Sequence, residues 1–228
     1  MTAAPIHFRN ERLMLDPSGA AFWPAKRVLI VSDLPASSAP PSLRDASAYN
    51  TRAALERLTR LVRLYRPSRL IALGNAFSAG GGPVCLTKDE RARLEAVGRE
   101  AQIIWVAQAQ STVASDLPGL RAEEHREGPF VFRHEAVQRL GAREIEISGH
   151  YRPRASIDTR GKHVSRPCFV MDSHRLVLPA FGNPHGGLDV HAPAIAQFFP
   201  HGLRVFLLGQ EQLYAFALEQ LGRLADVA

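Results

Sequence analysis

The sequence predicts an α/β fold, a sandwich of two mixed β-sheets flanked by helices. Two observations predict it. Through the first half, apolar runs too short for helices alternate with amphipathic helical patterns, as in a parallel sheet with right-handed crossovers. Through the second half the pattern changes to short strand-like segments separated by turns, which suits a more antiparallel sheet. No repeat, low-complexity tract or linker divides the two halves, so residues 1–228 are expected to form a single domain.

The first strand is VLIVSD (28–33), a continuous apolar run that reads as buried on both faces. A Pro- and Ser-rich loop, LPASSAPPS (34–42), follows it. From about Ala46 to Tyr65 a helix is expected, because Leu55, Leu58, Val62 and Tyr65 fall at helical spacing with Arg57, Arg60 and Arg63 between them. Pro67 ends it. RLIALG (69–74) is the second strand and runs into Asn75 and a Gly-rich loop. Thr87 and Glu90 form a capping box for a helix to about Glu100, and QIIWVA (102–107) is the third strand. PFVFRH (129–134), REIEIS (143–148), RPCFVM (166–171) and RLVLPA (175–180) are the later strand candidates. LRVFLL (203–208) and QLYAFAL (212–218) close the chain as a hairpin across Gly209 and Gln210, unless the last run opens a helix to Leu224.

Composition excludes several classes. No apolar run approaches the roughly 18 residues of a membrane span, so no membrane partner is expected. The N-terminal segment lacks a charged-then-apolar leader pattern, and the expectation is a cytoplasmic protein. Cys85 and Cys168 form neither a metal-ligand pair by spacing nor a disulfide framework, and read as small buried hydrophobes. The Gly80–Gly82 run lacks the Lys-Ser/Thr of a phosphate loop, and no Gly-x-Ser-x-Gly elbow supports a serine hydrolase. The net charge of +6, carried almost wholly by arginine, permits a polyanionic partner without specifying one.

Asp33 stands where the first strand runs out of apolar residues, a position from which α/β proteins often work. Such a residue can ligate a metal, cap the next turn, or remain from a lost site. His134 follows the alternation of Phe130 and Phe132 and reads on its own as a hydrogen-bonded structural residue. His150 follows a strand and a glycine, where functional residues concentrate. His174, His185, His191 and His201 lie in turn-like contexts that suit structural or solvated roles, and Gly186 and Gly187 suit a tight turn.

In order along the chain stand SDLP (32–35), LGNAF (73–77), VAQAQS (106–111), FRHEA (132–136), SGHYRP (148–153) and LPAFGNPHGGLDV (178–190). Together these segments resemble the calcineurin-like metallophosphoesterases, in particular the bacterial branch of ligase-associated DNA damage response endonucleases, encoded beside a DNA ligase and an Lhr-like helicase. The resemblance implies a metallophosphoesterase-type sandwich. It also implies a strand-end site where carboxylates, imidazoles and an amide hold two divalent ions about 3.5–4 Å apart, clamping a phosphate and activating a water.

Matched position by position, the site departs from that pattern. Asp33, His134 and His150 keep their ligand identity. Pro35 stands for a ligating His, Asn75 for the bridging Asp, Ala109 for a ligating Asn, and Gln110 for the His that would protonate the leaving group. Arg152 replaces the last His and puts a cation where a metal would sit. The resemblance therefore implies a remnant metal site of Asp33, Asn75, His134 and His150, no two-metal catalysis and no cofactor. One weakly held Zn²⁺ or Mn²⁺ at His134 and His150, supporting phosphoester hydrolysis, is the alternative. A third reading is metal-independent binding of DNA or a phosphorylated ligand through Arg152 and Arg154, in a basic loop that also holds Arg160, Lys162 and Arg166. DNA-repair proteins are partners by lineage alone.

Overall fold

Two strands open the chain where no strand is expected from the sequence. In the computed structural model, which describes residues 2–35, 44–74, 86–108, 117–159, 162–182 and 186–223, β1 (Ala4–Phe8) and β2 (Glu11–Leu15) pair antiparallel. The turn is Arg9–Asn10, with Arg9 left-handed at φ 52°. Ile6, Phe8, Leu13 and Leu15 are buried, with His7, Arg12 and Met14 between them, so the period-two signal is present but short. β3 (Ala21–Trp23) pairs with β2 and hands on, antiparallel, to β4 (Val28–Ser32).

From β4 the sheet is parallel, through β5 (Arg69–Leu73), β6 (Gln102–Val106) and the short β7 (Leu120–Ala122). The crossovers use α1 (Arg44–Tyr65) and α2 (Lys88–Glu100), close to the bounds expected. Thr87 caps α2 as its sequence implies: its hydroxyl accepts from the Glu90 N–H and the Glu90 carboxylate accepts from the Thr87 N–H at 2.8 Å. Among the described residues the first sheet is thus seven-stranded and mixed, because the N-terminal hairpins extend the parallel part.

The second sheet is also mixed. Its parallel centre is β9 (Phe130–Arg133), β10 (Ile145–Ser148) and β13 (Arg175–Val177). Antiparallel strands flank it: β8 (Glu124–Glu127) on one side, and on the other β12 (Lys162–Met171), β14 (Arg204–Leu208) and β15 (Leu213–Ala217). β11 (Arg154–Thr159) pairs antiparallel with β12, so Arg154, Lys162 and Arg166 lie on paired strands and not in the basic loop expected, while Arg160 lies outside the described residues. The last apolar run is both things its sequence allows, β15 followed by the short helix α3 (Leu218–Arg223).

Alternation along the strands sorts the core into layers. Val28, Ile30, Ile71, Leu73, Ile104 and Val106 point between the sheets, against Phe130, Phe132, Ile145, Ile147 and Leu176. Leu29, Val31, Leu70, Ala72 and Trp105 point the other way, onto Leu55, Leu58, Val62, Leu94 and Val97 of the two helices. Val170, Val177 and Val205 cover the outer face of the second sheet with Phe198 and Phe199, and Cys168 lies buried there. Burial drives its thiol well up from the ordinary value, as an inert small hydrophobe requires. Cys85 lies outside the described residues, among which no helix is long and apolar enough to cross a membrane.

Removing the α2 cap should expose the helix N-terminus without touching the core. Thr87→Ala is expected to lower stability by about 1 kcal/mol in urea unfolding, with an unchanged denaturant slope.

Candidate functional site

The parallel strands of both sheets end at one edge, and there the chain places its strand-end polar residues. Asp33 follows β4 with φ 48°, its N–H donating to Leu73 O at 2.8 Å, so the sheet ladder itself holds the strained residue. The side chain is buried. Ser32 donates from Oγ to Asp33 Oδ2 at 2.8 Å, and the His150 N–H donates to the same oxygen at 3.0 Å. His134 Nε2 lies 3.2 Å from Asp33 Oδ1, and the Arg152 guanidinium is 3.9 Å from that oxygen. A carboxylate accepts only, so this contact places a proton on Nε2 of His134.

His134 and His150 reach the site from the ends of adjacent parallel strands, with ring centroids 5.0 Å apart at 83°. The segment after β10 is held in left-handed backbone at His150 (φ 67°) and Arg152 (φ 49°), conformations rare for residues with a Cβ. Close glycine packing keeps it there. A Cβ on Gly149 would stand 1.7 Å from Ser32 Oγ, and one on Gly187 would stand 2.0 Å from Arg152 O. Gly74 is equally confined, its notional Cβ falling 2.6 Å from the His134 ring.

Burial pushes the Asp33 carboxyl up, but the His134 hydrogen bond and charge, the Arg152 charge and the Ser32 hydroxyl outweigh it. The carboxyl therefore sits below its ordinary value of 3.8. Tyr151 packs its ring between His150 and Phe198, and burial, with Glu135 and Glu146 nearby, pushes its phenol up to about 12.

The other expected site residues are placed less centrally or not at all. Arg154 donates from its guanidinium to Ser165 Oγ at 3.2 Å and Ser165 O at 3.0 Å, across the β11–β12 hairpin. Asn75, Ala109, Gln110, His185 and Gly80–Gly82 lie outside the described residues. His191 pairs with Asp189 at 2.8 Å and His174 contacts Ser173 at 2.8 Å, both in turns. A hollow of about 250 Å³ beside His134 is lined by Gln108, Glu135 and Arg133 among others. Arg57 and Arg166, which nothing in the sequence associates, line one larger cavity.

As a metal centre, the described donors amount to one carboxylate and two imidazoles, with a guanidinium 3.9 Å from the carboxylate. Among the described residues, no group of three or more His, Cys, Asp or Glu side chains could hold a metal ion. That set does not fit two ions: both Asp33 oxygens already accept protein hydrogen bonds, and a neighbouring cation opposes a second positive charge.

The two mixed sheets with helices outside form a metallophosphoesterase-type α/β sandwich. In particular, the chain is similar to a nuclease, MPE of Pseudomonas putida, with a TM-score of 0.70 and 25% identity over 94% of this chain and 100% of that one. A phosphoesterase of E. coli, Yfce, superimposes with a TM-score of 0.42 and 12% identity over 84% of this chain and 98% of that one, too distant to add to the assignment. No family model matches the sequence, and no curated protein does.

Two outcomes follow from this geometry. Because the Asp33 carboxyl is depressed in the folded state, its contribution to stability is present above the ordinary value of 3.8 and is lost as pH falls through the lower folded value. Urea unfolding between neutral pH and pH ~3 should therefore show a shallower acid decline in Asp33→Asn than in wild type. Gly149→Ala should cost about 1–3 kcal/mol by overpacking against Ser32. Ser32→Gly in the same chain should return part of that loss, a coupling visible in a double-mutant cycle.

Proposed function

We propose that this protein is a metallophosphoesterase-fold member that binds a phosphate-bearing polyanion, nucleic acid, at its strand-end edge and does not carry out two-metal hydrolysis. The observation that carries the reading is Arg152. Its guanidinium stands 3.9 Å from Asp33 Oδ1 and its side chain stays 44% exposed, at a position to which the resemblance assigns a metal-ligating imidazole. A planar fork beside a buried carboxylate, with no hydrogen bond to it, keeps its donors for phosphate oxygens, and so supplies without a metal the charge that a metal would supply. Arg154 is the secondary contact, since it must leave Ser165 to take part. The likeness to a nuclease over 94% of the chain and the net charge of +6 support a nucleic-acid partner. By resemblance, the setting is DNA repair beside a ligase and a helicase.

A second reading has its own observation. Asp33 Oδ1 and His134 Nε2 stand 3.2 Å apart with the His150 ring packed on that of His134, and these two donor atoms could share one Zn²⁺ or Mn²⁺ whose remaining positions water completes. Hydrolysis with that single ion would then be the activity.

Protein purified without chelator should contain substoichiometric metal. It should turn over neither phosphodiesters nor phosphomonoesters above background with Mn²⁺, Mg²⁺ or Zn²⁺. DNA should bind in the presence of chelator, with affinity falling steeply as salt rises and about tenfold weaker in Arg152→Ala. Stoichiometric metal with turnover abolished by His150→Ala would establish the one-metal reading in its place.

A further inference from the structure

The same edge carries a cavity of about 670 Å³ that the Asp33 site does not use. Its walls are the β2–β3 turn, α1, β12, the segment after β13 and the β14–β15 turn. It adjoins the candidate site: the Phe181 N–H donates to Ser32 O at 2.7 Å, and Gly182, a wall residue, packs against Ala54 beside Pro35.

The cavity is chemically two-sided. Arg57 and Arg60, a turn apart on α1, and Arg166 of β12 line it and are exposed, and none of the three is paired with another described residue. The one carboxylate among the described lining residues, Asp16, is buried and committed. It accepts from the Ser18 N–H at 2.8 Å and from the Tyr65 hydroxyl at 2.6 Å. The remaining wall is apolar, with Leu61, Pro167 and Leu208, and Leu64 keeps 66% of its surface exposed. Ser18 adds a buried hydroxyl with no hydrogen-bond partner.

We infer that this cavity receives one nucleotide of a single nucleic-acid strand. The base lies against Leu61, Leu64 and Pro167, and the flanking phosphates pair with Arg57, Arg60 and Arg166. A phosphate alone needs neither the apolar wall nor the volume, which falls in the range of about 300–1,000 Å³ typical of small-molecule sites. A base and its phosphates use both, since the leucine and proline wall covers an apolar base face while the arginines neutralise the backbone. A base in a duplex cannot enter without unstacking, so the cavity selects single strands. The inference rests on the proposed nucleic-acid reading of this edge and adds the strand type and the residues that take the base.

The test titrates the full chain with fluorescent oligothymidylate, its abasic counterpart and a duplex of equal length, at low salt with chelator. Expected are tighter binding of oligothymidylate than of duplex, and a loss of about tenfold for R57A/R60A, with the salt slope reduced by about one to two. The abasic strand should bind about tenfold more weakly than oligothymidylate, a difference that Leu64→Asn removes. Unchanged binding in R57A/R60A with loss in Arg152→Ala overturns the cavity and leaves the edge reading standing. Loss in R57A/R60A with Arg152→Ala unchanged keeps the cavity and overturns Arg152 as the phosphate contact of this edge. Equal affinity for abasic and normal strands reduces the cavity to a phosphate contact and overturns the nucleotide. No binding by wild type overturns both.

Discussion

The Asp33 carboxylate is the tie on which this end of the sandwich depends. It leaves the first sheet at β4 and takes hydrogen bonds from two residues of the second, His134 and the His150 backbone. An apolar sandwich core is non-directional and would tolerate small slips of one sheet over the other. A buried carboxylate with fixed donors does not, because displacing it leaves a desolvated charge without partners, at a cost of about 3–5 kcal/mol. The left-handed backbone at Asp33, His150 and Arg152 is stored strain that this tie, with Gly149 and Gly187, holds in place.

A second buried carboxylate steadies the same region from behind. Glu146, on β10 two residues before Ser148, is fully buried and pairs with Arg175 and, at 3.1 Å, with Arg133. Its Oε2 also accepts from the Val137 N–H at 3.0 Å, which fixes the chain just beyond His134. His134 thus arrives at Asp33 from a segment anchored on both sides. Charge pairing around Arg126, Glu124 and Glu144 continues outward on the exposed rim, where each pair adds little on its own.

How much of this was legible before the structure follows from the reach of each signal. The parallel strands and their helices were readable because burial on both faces leaves long apolar runs, and because the Thr87 box and Pro67 are local chemistry. The N-terminal hairpins were not. Ile6, Phe8, Leu13 and Leu15 alternate over too few residues, interrupted by a turn at Arg9 that has no glycine to mark it. At the site, Asp33, His134 and His150 could be named from ordered strand-end segments, since parallel strands carry their ends to one edge. The partnership of Arg57 with Arg166 could not. It joins a helix surface to a strand more than a hundred positions away, and only the fold brings α1 and β12 to the walls of one cavity.

The Asp33 tie also bears on what a substitution there would report. A side chain that pins two sheets serves the architecture, whatever chemistry the edge performs. Ser32, Gly149 and His134 are bound into the same constraint, because each touches the carboxylate or the space beside it. A substitution at Asp33 therefore disturbs the join between the two sheets together with any chemistry at this edge, so lost activity in such a variant does not by itself assign the residue to turnover.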